Sequence, residues 1–103
     1  MINTDITYDL IAKIVLLPRD MGGRKKPVAS GYRPSFVFNS LNHFTGEIRL
    51  VRKKELLPGE SAIAVIRLLP ARHLRKNLKP NDTFSISEGN KTVGTGIIEK
   101  VTR

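Results

Sequence analysis

Two Arg-Lys-Lys runs, Arg24-Lys25-Lys26 and Arg52-Lys53-Lys54, are the side chains of this sequence best suited to chemistry. A third basic stretch carries Arg72, Arg75, Lys76 and Lys79 with no acid among them. Such clusters neutralise phosphate, because a cationic donor on an ionised oxygen makes a short, strong hydrogen bond. The formal charge of +9 on 103 residues points the same way, to RNA, DNA or an anionic membrane surface, although excess charge also serves solubility.

Other chemistries find little support. Gly22-Gly23-Arg24-Lys25-Lys26 lacks the Gly-x-x-x-x-Gly-Lys-Ser/Thr spacing of a phosphate-binding P-loop, and no strand-to-helix pattern surrounds it. The chain has no cysteine, and neither His43 nor His73 stands at a metal-ligand spacing. No serine lies in a nucleophile elbow, and no carboxylate pair is set for acid/base work. A non-enzyme without metal or cofactor is expected. No apolar run reaches the length of a membrane span and Met1 to Thr7 is not a signal peptide, so a cytoplasmic protein is the default reading.

The elements that must position these residues alternate with period two. Ile6 to Leu17 predicts a first strand with Tyr8, Leu10, Ala12, Ile14 and Leu16 on one face. A glycine-punctuated basic loop, Pro18 to Ala29, leads to a strand at Phe36–Phe38 and a polar bend at Asn39 to His43, which leaves Phe44 in a loop and free to be exposed. Gly46 to Val51, Ser61 to Leu69, Thr83 to Ser87 and Lys91 to Val101 complete six strands. Turns are expected at Pro58-Gly59, Pro80-Asn81-Asp82 and Gly89-Asn90, and at most one helical turn near Arg72 to Leu78. The whole, residues 1–103, reads as one all-β domain, a barrel or sandwich.

Gly22-Gly23-Arg24, Gly31-Tyr32-Arg33-Pro34-x-Phe36-x-Phe38 and Thr45-Gly46 are similar to motifs of the C-terminal β-barrel domain of translation elongation factor Tu. The run from Phe84 to Gly96, Phe-Ser-Ile-Ser-Glu-Gly-Asn-Lys-Thr-Val-Gly-Thr-Gly, resembles a second motif of that family. The resemblance spans about Thr7 to Val101 and implies a six-stranded antiparallel barrel without the family's GTPase and middle domains.

It also implies a function. In the elongation factor this barrel grips the phosphate-ribose backbone of aminoacyl-tRNA, with loop side chains and main-chain amides. Carried over by position, the implied contacts are Arg24, Lys25, Thr45, Gly46, Glu88, Gly89 and Lys91, with Lys26, Arg72, Arg75 and Lys76 as further basic contacts. Ser35, Leu69 and Ser87 stand where the family has glutamine, lysine and arginine. Tyr32 and Arg33 have a structural alternative, a clasp that pins the basic loop to the barrel. The leading expectation is a tRNA-type RNA-binding module. The alternative is a protein-interaction module docking to a translational GTPase, its exchange factor or another partner.

Overall fold

The alternation of the first strand carries directly into the wall of a closed barrel in a computed structural model, which describes residues 8–39, 42–69 and 78–102. In β1, Leu10–Leu16, the side chains of Leu10, Ala12, Ile14 and Leu16 are buried while Lys13 and Val15 face outward. The other wall strands are β3 (Ser35–Asn39), β4 (Asn42–Leu50), β6 (Ser61–Leu69), β7 (Thr83–Glu88) and β8 (Lys91–Val101). They close in the order β1-β6-β4-β3-β7-β8, every neighbouring pair antiparallel. The expected six-stranded antiparallel barrel is what the chain forms.

Closure lets one set of inward side chains serve as the core. Phe36, Ile48, Ile66, Ile86 and Val93 are fully buried within it. Phe36 and Phe84 meet edge to face at 5.9 Å, and Phe38 lies 5.1 Å from Phe84. Phe44 departs from expectation. The chain is back in a strand by Asn42, so Phe44 is half-buried against Phe38, with ring centroids 6.2 Å apart. The polar residues before it masked a strand that starts earlier than its apolar pattern does. Asp9, just before β1, is buried, and one carboxylate oxygen accepts the Leu68 N–H at 2.7 Å.

Two further strands of two residues each, β2 (Val28–Ala29) and β5 (Glu55–Leu56), pair with each other outside the barrel wall. Their inward side chains, Val28 and Leu56, are buried in the same core, so this ribbon caps one barrel end. The 3-10 turn at Arg19–Met21 is the helical segment among the described residues. The turn expected near Arg72 to Leu78 falls largely outside them.

Antiparallel order puts the ends of β1, β4 and β7 and the starts of β3, β6 and β8 at that capped end. The 17–34 loop, the 51–60 loop and the Gly89-Asn90 hairpin therefore all emerge there. The chain leaves β6 at Leu69 and enters β7 at Thr83 at the other end.

Candidate nucleic-acid interface

Arg24 is held by three segments at the capped end. Its Nη1 forms an ion pair with a Glu88 carboxylate oxygen, and its Nε donates to the Lys26 carbonyl at 3.1 Å. The guanidinium carbon lies 4.9 Å from the centre of the Tyr32 ring, a cation–π stack. The Tyr32 hydroxyl donates to the same Glu88 oxygen at 2.5 Å. Burial pushes the Tyr32 phenol above its usual 10.0, against the opposing pull of Arg24. The phenol thus stays a neutral donor throughout the physiological range.

Local backbone explains why these groups meet. The Ile48 N–H donates to the Tyr32 carbonyl at 2.8 Å, which extends the β3–β4 pairing back to Tyr32. Glu88 ends β7, and Gly89 turns the hairpin at φ 60, a conformation that favours glycine at the first position of a two-residue loop. Across that hairpin the Lys91 ammonium donates to the Gly23 carbonyl at 3.5 Å. Tyr32 is therefore the centre of the clasp that the sequence allowed for, whereas Arg33 is exposed.

The implied contact residues fall into distinct settings. Arg24, Glu88, Gly89 and Lys91 lie together around the clasp, and Lys25 and Lys26 project into solvent beside it. Thr45 is two strands away. Strand register aligns Leu69, Thr45, Ser35, Ser87 and Thr92 in one row across β6, β4, β3, β7 and β8. The Thr45 hydroxyl donates to the Leu69 carbonyl at 3.3 Å. Ser35, Leu69 and Ser87 thus fall in one uncharged row.

Gly46 is buried, because a Cβ there would overlap the Arg67 carbonyl and the Phe36 ring. Its N–H donates to the Pro34 carbonyl at 3.3 Å, which occupies the amide within the fold. Arg72, Arg75 and Lys76 lie outside the described residues.

The β2–β5 ribbon has a consequence that sequence reading missed. Val28 pairs with Leu56 and Ala29 with Glu55, which brings the second Arg-Lys-Lys run alongside the first loop. Val28 between Pro27 and Ala29, and Leu56 beside Leu57, each shortly after a basic run, were the available signal. Lys53 is paired with Glu60 at 3.4 Å. Glu60 also accepts the Leu57 N–H, which, with Lys53, holds its carboxyl below the usual 4.5. Among the described residues, Lys25, Lys26, Arg52 and Lys54 enter no ion pair.

No group of three or more His, Cys, Asp or Glu among the described residues could hold a metal ion. No helix among them is long and apolar enough to cross a membrane. Compared with models of known families, the chain matches the elongation factor Tu C-terminal domain over residues 4–102.

Proposed function

The chain belongs to the elongation factor Tu C-terminal domain family, and on that premise we propose that it binds structured RNA of the tRNA type, in the cytoplasm, as part of translation. Recognition is of the backbone: phosphates by cationic side chains, ribose hydroxyls by neutral ones. An RNA duplex favours this mode, since its deep groove hides base edges while phosphates and 2′-hydroxyls remain accessible.

One observation carries the reading. Lys25 and Lys26 are exposed and free of acidic partners among the described residues, on a loop whose position is set by the Arg24–Tyr32–Glu88 clasp. A held loop spends less conformational entropy on binding than a free one. Arg24 acts here as a positioning residue, since Nε and Nη1 are already engaged within the chain. The hydroxyls of Thr45 and Ser35, on adjacent strands, are suited to a ribose.

A second reading rests on a different face. Val15 and Ile97, each 37% exposed, border a groove of about 580 Å³ on β1, β7 and β8. Lys13, Thr83, Ser85 and Thr95 line it as well, and a groove that mixes apolar and polar side chains suits a protein partner.

Anisotropy titration of the purified protein with a labelled tRNA transcript separates the two. Affinity is expected to fall with salt at a log–log slope of about −0.9 for each phosphate neutralised. Lys25→Ala with Lys26→Ala is expected to lower affinity by about tenfold, and Lys79→Ala with Lys100→Ala by much less, since a direct phosphate contact exceeds a diffuse one. Equal losses, salt-independent binding, or no binding beside capture of one stoichiometric protein would overturn the RNA reading.

A further inference from the structure

The basic run Arg52-Lys53-Lys54 sits in the turn that feeds β5, and β5 is paired with the strand that follows Arg24-Lys25-Lys26. From Lys26 to Val28, across to Leu56, and on to Lys54 is two residues, one strand spacing and two residues. Extended chain and an antiparallel pair bound that path at about 20 Å. The two runs therefore flank one ribbon, and Val28 and Leu56 root the ribbon in the core.

Of the acids in the loops at this end, Glu60 and Glu88 are committed elsewhere, while Asp20 in the 3-10 turn enters no ion pair among the described residues. Glu88 is engaged with Arg24 and Tyr32, and Glu60 with Lys53 and the Leu57 N–H. Glu55 lies on the ribbon itself, opposite Ala29, and makes no ion pair among the described residues. Among the described residues, Lys25 and Lys26 on one side of the ribbon and Arg52 and Lys54 on the other enter no ion pair, as is true of Arg19 and Arg33 elsewhere on the first loop. The four that flank the ribbon are all exposed.

Backbone geometry is a second, independent observation. Arg52 has φ 65, one of two non-glycine residues in the left-handed region among those described. A Cβ is disfavoured there, and glycine or asparagine is the ordinary occupant. Strain of this kind at an exposed arginine is the sort that clusters at ligand-contacting sites.

We infer that the β2–β5 ribbon is a second phosphate-contacting element, with Arg52 and Lys54 extending the RNA backbone contact begun by Lys25 and Lys26. The inference rests on the RNA-binding reading and assigns residues that reading does not use. A row of cations on both sides of a rooted ribbon fits a polyphosphate track better than a single anion. The span suits several successive phosphates of one duplex.

The test is a salt titration of tRNA affinity on the intact chain carrying Arg52→Gly with Lys54→Ala, beside Lys79→Ala with Lys100→Ala as a charge-matched control at the other barrel end. Thermal unfolding is followed in parallel. Arg52→Gly relieves the left-handed backbone, so the variant is expected to unfold near the wild-type Tm. Its salt slope is expected to shrink by about 1.5–2, the loss of two phosphate contacts. The control is expected to leave the slope unchanged. A slope equal to wild type in both variants, with wild-type RNA binding intact, overturns this inference alone. Wild-type protein that fails to bind the transcript overturns it together with the reading beneath it. Unchanged RNA affinity with lost binding to phosphatidylserine vesicles overturns it in favour of a membrane surface. If the variant fails to fold, Arg52→Gln with Lys54→Gln gives the same slope reading on a wild-type-like backbone.

Discussion

Arg24 and Arg52 each lead an Arg-Lys-Lys run, both at the capped end of one barrel, and the fold uses them in opposite ways. Arg24 turns inward. It stacks on Tyr32 and pairs with Glu88, so its charge organises the loop. Arg52 is exposed, stands on a left-handed backbone and has no ion-pair partner among the described residues. The difference is made by an acid, not by the arginines. Glu88 is brought beside Arg24 from 64 residues away, whereas Glu60, the acid closest to the second run in an ion pair, is taken by Lys53. A basic motif is a contact site only where the fold leaves its charge unspent.

The largest expected effect tests whether the second region is rooted as firmly as the first. Leu56 is fully buried in the core, and Leu56→Ala is expected to cost about 2–5 kcal/mol in chemical denaturation. It should also speed amide exchange at Val28 and Ala29. A cost below about 1 kcal/mol, a loss typical of a surface site, would mean the ribbon only rests on the barrel, and the contrast with the clasp would sharpen into rigid against loose.

A smaller effect separates a structural ion pair from a surface one. Glu88→Gln removes the charge that both Arg24 and Tyr32 address. The Arg24 and Glu88 side chains are 21% and 38% exposed, so water screens part of that interaction. A loss of about 1 kcal/mol is expected in urea melts. Glu60→Gln, on the exposed Lys53 pair, is expected to cost less. The reverse ranking would place the organising acid in the wrong region.

The smallest effect lies at the two extremes of pH. Tyr32 has its folded pKa raised by burial, so its contribution is present below 10.0 and lost as pH rises through the folded value. Glu60 has its pKa lowered, first by the Leu57 N–H, so its contribution is present above 4.5 and lost as pH falls through the folded value. Stability measured across pH should therefore lose its Tyr32-dependent alkaline arm in Tyr32→Phe and its Glu60-dependent acid arm in Glu60→Gln. A common arm for both variants would show that the two regions titrate as one.

The sequence by itself determined the wall. Period-two burial is a local property of an extended chain, so Leu10 to Leu16, Ser61 to Leu69 and Lys91 to Val101 are legible as strands before any fold is known. Turn chemistry was legible for the same reason at Pro58-Gly59, Pro80-Asn81 and Gly89-Asn90, where Gly59, Asn81 and Gly89 take positive φ. Spacing also placed three basic stretches. It could not say which charges remain free, because an ion pair between Arg24 and Glu88 depends on two loops meeting when the barrel closes. The strand position of Phe44 and the two-residue pairing of β2 with β5 were hidden likewise. A strand that short carries no period, and only burial of Val28 and Leu56 in a core assembled from the whole chain decides where it lies.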